Sequence, residues 1–237
     1  MSSKTPAKKP AKDPRSRARA KPGSSLPLFP ILIGAVVVIG ALAIALTAFG
    51  GGDGGGGSAA AAEYGTVTVS GDPLPAMGEG GASDPAIGQI APELAGESFD
   101  GAPVRIAADG RAKAVAFVAH WCPHCQAEVP RIVEYLDSEG LPEGVDLYVV
   151  PTRTASTENN YPPSEWLESE GATDVPTLVD DEESSAWQAY GSGGFPYLVL
   201  LDSDFEVAGR VSGELPEGTY PQLMQALADG QPIFGQG

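Results

Sequence analysis

The chain has 237 residues, 31 acidic against 14 basic, for a net charge of −17, with only two cysteines and two histidines. Because the cysteines are Cys122 and Cys125, neither has a partner elsewhere in the chain, which excludes a structural disulfide between distant segments. The length allows one or two domains.

The charge is unevenly spread. Residues 1–27 hold eight basic residues (Lys4, Lys8, Lys9, Lys12, Arg15, Arg17, Arg19 and Lys21) against Asp13, a net +7, while the remainder carries −24. An arm of this composition buries no core and is expected to be disordered. From Ile31 to Phe49 no charge interrupts an apolar run. At about 1.5 Å per residue it would span roughly 28 Å, the thickness of a bilayer's hydrocarbon core. Residues 28–49 are therefore expected to form a transmembrane helix. The alternative, a cleaved signal peptide, has a shorter apolar region. The basic arm places the N-terminus in the cytoplasm and the rest of the chain outside, at the cell membrane. Its cations then serve topology and contact with the lipid bilayer; nucleic-acid binding is the weaker reading, and no nucleic-acid partner is expected.

Residues 50–83 are rich in Gly, Ala and Pro and read as a flexible linker. Within them Thr66–Val69 alternates and is either a strand or extended linker. The folded domain is expected over 84–237. Lys113–Ala119 reads as a strand leading into the cysteines. A helix over 123–138 follows, its stripe Val129, Ile132, Val133 and Leu136 at helical spacing. Pro123 suits a first turn, Pro130 is expected to kink the helix, and Gly140 to stop it. Then come a strand over 145–150, a helix over 163–170, a short strand over 177–179 and a helix near 183–190. A hairpin of 197–201 and 205–211 and a closing helix over 218–229 complete the pattern. This order predicts an α/β fold with a mixed central sheet flanked by helices. The acidic run Asp180–Glu183 reads as solvated surface.

The motif Trp121-Cys122-Pro123-His124-Cys125 lies where a strand meets a helix. A Cys-x-x-Cys in that position reads as a redox site. The first cysteine meets unpaired N–H groups and the positive end of the helix dipole, which favour its thiolate. His124 can add a hydrogen bond or a positive charge. Cys125, one turn further in, is expected to be buried and protonated until needed. Cys122 then attacks and Cys125 resolves, through a mixed disulfide. The only cofactor expected is the redox-active Cys122–Cys125 disulfide itself. A metal site of Cys122, Cys125, His120 and His124 is the rival, but four ligands within six residues around a helix start fit a tetrahedral centre poorly.

These residues resemble the membrane-anchored TlpA/ResA-like branch of the thioredoxin superfamily. The resemblance covers most of 84–229. It rests on Ile87-Gly88-Gln89 with Ala91-Pro92-Glu93-Leu94, on Phe99-Asp100-Gly101, and on Trp121-Cys-Pro-His-Cys125 with Glu128 and Pro130. It continues through Tyr190-Gly191 and Gly194-Phe195-Pro196-Tyr197 to Asp202. It implies a thioredoxin-like fold and thiol–disulfide oxidoreductase activity toward exported protein thiols or disulfides, with a membrane redox partner recycling the pair. It also implies that Pro196 is a cis-proline against the cysteines, with the Phe195 backbone and Trp121 contacting substrate. Glu128 becomes a candidate proton acceptor for Cys125; its alternative is a solvent-facing helix residue. The Pro123-His124 dipeptide is the one found in DsbA-like oxidants, so a comparatively oxidising potential is expected. A copper-handling or binding module on the same fold is the other functional class.

Overall fold

The computed structural model describes residues 63–78 and 84–233. The expected basic arm, transmembrane helix and 50–62 tether lie outside these residues. Among the described residues no helix is long and apolar enough to cross a membrane.

A four-stranded mixed sheet forms the centre, built from β4 (Ala112–Val118), β5 (Val145–Pro151), β6 (Tyr197–Leu201) and β7 (Val207–Ser212) in the order β5-β4-β6-β7. β4 runs parallel to β5 and antiparallel to β6, and β6 antiparallel to β7. A smaller antiparallel sheet holds β1 (Thr68–Ser70), β2 (Glu93–Glu97) and β3 (Pro103–Ile106). The helices are α1 (Pro123–Ser138), α2 (Pro163–Ser169), α3 (Ser185–Ala189) and α4 (Thr219–Ala228), and α1 continues through Pro130.

All seven residues of β4 are buried. Side chains alternate between the faces of a strand, so β4 feeds two cores. Ala114, Ala116 and Val118 pack with Cys125, Val129 and Ile132 of α1 and Leu223 and Met224 of α4. Val115 and Phe117 face the other way, with Leu94, Ile106, Tyr190 and Tyr197. The small alanines lie on the side that α1 covers, which lets the helix carrying the cysteines sit close to the sheet.

Three expectations need correction. First, residues 63–78 are not linker. Thr68–Ser70 pairs with β2, Leu74 is buried, and the N–H groups of Leu74 and Met77 donate to Ala189 and Gly191. The buried Arg210 explains the attachment. Its guanidinium pairs with Asp84 and donates to the Pro75 and Tyr190 carbonyls, so the docked segment supplies one acceptor of a buried cation.

Second, 177–179 is a single parallel bridge, Thr177 to Val149, rather than a strand. The Leu178 N–H donates to Val149, that of Val179 to Glu97 and that of Asp180 to Pro151. The segment is divided between the two sheets and builds no continuous ladder. Third, Asp180 is buried. Its carboxylate accepts from the Thr152 hydroxyl and from the N–H groups of Asp181, Ala186 and Trp187. The latter two are otherwise unpaired donors at the start of α3. Burial still pushes this carboxyl up against those four bonds.

Candidate active site

β4 ends at Val118, and the chain turns through Ala119, His120 and Trp121 into α1. Cys122 is the cap residue of α1, with extended backbone, and Pro123 occupies the first helical position. There its missing N–H removes no bond and its fixed φ suits the helix. The Cys122 carbonyl receives the N–H groups of Cys125 and Gln126. Both cysteines are free thiols. Cys122 is 6% exposed and Cys125 fully buried, so the first cysteine is the less buried of the two.

The Cys125 sulfur accepts the Ala119 N–H at 3.4 Å. Burial pushes its thiol well up, aided by the nearby Cys122 and Glu128 and only partly offset by the Ala119 bond. The Cys122 sulfur lies 3.8 Å from the Phe195 carbonyl oxygen, and the Phe195–Pro196 bond is cis. A separation of some seventy residues in sequence is thus closed to contact by β6, which Pro196 precedes. A second cis bond, Tyr161–Pro162, was not anticipated.

Aromatic rings wall the sulfur. Trp121 meets Phe195 edge-on at 5.9 Å, and Trp187 stacks on Phe195 at 5.5 Å. The Arg153 guanidinium lies 5.6 Å from the Trp187 ring centre. The Trp121 indole N–H donates to the Arg153 carbonyl and that of Trp187 to Gly193. Behind Trp121 a cavity of about 380 Å³ is bordered by Arg153, Thr154, Glu158, Glu182 and Ser184. Arg153 is also distinctive in charge: Arg105, Arg111, Lys113, Arg131 and Arg210 all form ion pairs, whereas Arg153 forms none among the described residues.

The two histidines have different surroundings. His120 is buried; its Nδ1–H donates to the Asn159 carbonyl at 2.7 Å and its Nε2 accepts the Ala155 N–H at 3.1 Å. Both ring nitrogens are used to hold the 152–160 loop, and the pairing fixes one neutral tautomer. That commitment argues against the four-ligand metal site, which needs this ring. His124 is exposed, and its Nδ1–H pairs with Glu214.

Glu128 is buried on α1, so the solvent-facing alternative does not hold. Its carboxylate accepts from the Tyr220 hydroxyl at 2.6 Å, the Leu215 N–H at 3.2 Å and Arg131 Nη1 at 3.4 Å. Burial nevertheless raises this carboxyl above its ordinary range, and burial beside Glu128 pushes the Tyr220 hydroxyl well up. A group that resists ionisation beside a buried thiol is suited to holding that thiol's proton.

Of the residues singled out from sequence, Trp121, Cys122, Phe195 and Pro196 converge on one surface, Pro123 and His124 lie at its rim, and Cys125 and Glu128 lie beneath. Sequence reasoning missed Arg131, Arg153, Trp187, Glu214 and Tyr220. Trp187 alone carried a signal, as a large aromatic in a short helix preceding the Gly-Phe-Pro strand start.

A family model described as Redoxin matches residues 70–227. Methylamine utilization protein MauD of Paracoccus denitrificans is 32% identical over 121 residues, covering 50% of this chain and 54% of that protein. The chain thus spans about half the length of this relative. Among solved structures, the fold is similar to that of a Chlorobium tepidum protein assigned as thiol:disulfide interchange protein DsbE, at TM-score 0.50 and 20% identity, covering 60% of this chain and 97% of that one. It is similar to an uncharacterized conserved protein of Geobacillus kaustophilus, at TM-score 0.50 and 22% identity, covering 63% and 86%. With the model matching over most of the chain and the paired cysteines at the start of α1, the protein belongs to the redoxin family.

Proposed function

We propose that the protein is a thiol–disulfide oxidoreductase that exchanges disulfides with exported proteins, held at the membrane by residues 28–49 and acting outside it. The observation that carries this reading is the arrangement of the sulfurs. Cys122 opens at the helix start against the Phe195 carbonyl, and Cys125 lies fully buried behind it. In the oxidised form a substrate thiolate attacks the Cys122 sulfur and breaks the Cys122–Cys125 bond. The Cys125 sulfur leaves with the electron pair and takes a proton. A second substrate thiolate then attacks its own sulfur in the mixed disulfide, which releases the Cys122 thiolate. Two electrons pass from substrate to protein, with one proton taken up on Cys125, and the reverse sequence reduces a substrate disulfide.

The Phe195 carbonyl and the ring wall give an extended substrate segment a strand-like edge to pair with. The Cys-Pro-His-Cys sequence supports a potential toward the oxidising end of the superfamily's span of roughly −270 to −120 mV. A membrane redox partner would return the pair to its working state.

The test is capture in intact cells. Cys125→Ser is expected to accumulate mixed disulfides with exported proteins through Cys122, and Cys122→Ser to accumulate none. Absence of adducts with Cys125→Ser would overturn the reading. A redox titration giving a potential near that of ordinary thioredoxin would overturn the oxidising assignment alone.

A further inference from the structure

A line of charged side chains connects the surroundings of one cysteine to those of the other. His124, two residues after Cys122, pairs through Nδ1 with one oxygen of Glu214. The other Glu214 oxygen accepts from Arg131 Nη1 at 3.1 Å. The same Nη1 reaches the Leu215 carbonyl at 3.2 Å and Glu128 at 3.4 Å. Glu128 stands one turn on from Cys125 along α1, so both fall on one helix face. One Arg131 amino group therefore serves three acceptors, and its longest contact is to the buried carboxyl.

We propose that Glu214 and Arg131 are positioning residues that couple the proton on His124 to the proton on Glu128, so that the two cysteines are served in turn. The inference rests on the oxidoreductase reading of the cysteine pair. The charged and titratable groups facing Glu128 are Cys125 and Arg131 of α1 and Tyr220 of α4. Those facing Arg131 are Glu128, Glu214 and Glu217. When His124 is protonated, Glu214 is matched by the imidazolium and its hold on Arg131 weakens; Arg131 turns to Glu128 and favours the carboxylate. When His124 is neutral, Glu214 retains Arg131, and burial favours the protonated Glu128. Linkage makes the coupling reciprocal.

The reductive half-reaction then has an order. With His124 charged, the Cys122 thiolate attacks a substrate disulfide, forming the Cys122–substrate bond and expelling one substrate thiolate. The Cys125 proton passes to the Glu128 carboxylate. The Cys125 thiolate attacks the Cys122 sulfur and expels the second substrate thiolate, leaving the protein disulfide and a substrate reduced by two electrons. Protonation of Glu128 returns Arg131 to Glu214 and favours release of the His124 proton.

The test follows the carboxyl carbon resonance of Glu128 and the ring resonances of His124 against pH by NMR, on the reduced full-length chain. Glu214→Gln is expected to lower the Glu128 midpoint by about half a pH unit, and His124→Ala to raise it by a similar amount. With Arg131→Met as the background, both shifts are expected to shrink by half or more, as a double-mutant cycle requires of a shared carrier. The pH profile of the resolving step, release of a model disulfide peptide from Cys122, should move with the Glu128 midpoint. A Glu128 midpoint that neither substitution moves, or shifts of full size without Arg131, would overturn the coupling. Loss of all exchange in the native protein would instead overturn the oxidoreductase reading, leaving the midpoints to decide the coupling.

Discussion

At the N-terminal end of β4, Lys113 donates to Asp109 at 2.6 Å and Asp146 at 2.9 Å, and Arg111 closes on the same Asp146 at 2.6 Å. At the other end, past Val118, stand the two cysteines with Glu128, Arg131, Glu214 and His124. Both ends hold carboxylates and cations around a buried centre, but the balance differs. Arg111 and Lys113 hold Asp146 below the usual carboxylate range, and against the cost of burial Lys113 holds Asp109 there too. Burial holds Glu128 above that range, because its one cation is shared with Glu214 and the Leu215 carbonyl. The first cluster fastens a strand end. The second leaves a buried carboxyl less fully matched by cations, and the cysteines lie at that end.

The comparison can be broken most sharply at the sulfurs. Cys122→Ser is expected to reduce disulfide exchange to background while leaving the unfolding midpoint in urea nearly unchanged, since the hydroxyl occupies similar space. Glu128→Gln preserves the shape of the buried group and removes its proton chemistry. It is expected to slow the resolving step by roughly 10²-fold, read as the rate at which substrate leaves Cys122 in stopped flow. Lys113→Met keeps the packing of the lysine stem and removes two ion pairs. A loss of about 1–2 kcal/mol in urea unfolding is expected, with exchange kinetics unaltered.

The two ends also predict opposite responses to pH. The Asp109 and Asp146 values are depressed on folding, so their stabilisation is present at neutrality and is lost as pH falls through the folded values. The Glu128 value is raised, so the folded chain keeps a proton that the unfolded chain releases. Stability therefore declines as pH rises from the ordinary carboxylate range through the folded Glu128 value. Glu128→Gln should gain stability relative to the native protein across that rise. Lys113→Met should lose stability relative to the native protein at lower pH, as pH rises from the depressed Asp109 and Asp146 values to the ordinary carboxylate range. Unfolding curves at several pH values check both signs, and parallel curves would erase the distinction between the clusters. The smallest effect belongs to Arg153→Ala. Losing a partly exposed cation–π contact costs about 0.5–1 kcal/mol, and we expect it mainly in the KM for a substrate peptide.

Much of this was legible locally. The expected helix over 123–138 coincides with α1, because Pro123, the apolar stripe and Gly140 are signals carried by neighbours in sequence. The strand after Pro196 was legible for the same reason. Residues 63–78 were not, since Gly, Pro and Ala there imply a linker while backbone N–H groups and the distant Arg210 do the docking. The proton chemistry of Glu128 was half legible. Its place on α1 could be read, but its burial depends on Tyr220 and Leu215, some ninety residues away. Asp180 misled because an acidic run looks solvated, whereas one member turns inward to the start of α3. His120 looked like a possible ligand until the loop that occupies both its nitrogens was in view.

The central claim is that Cys122 attacks and Cys125 resolves. Mass measurement of each single-cysteine variant after mixing with a disulfide-bonded peptide tests it directly. Cys125→Ser is expected to gain one peptide half, mapped to Cys122, within the mixing time, and Cys122→Ser to remain unmodified over the same period. Modification of Cys125 in Cys122→Ser at a comparable rate would contradict the account.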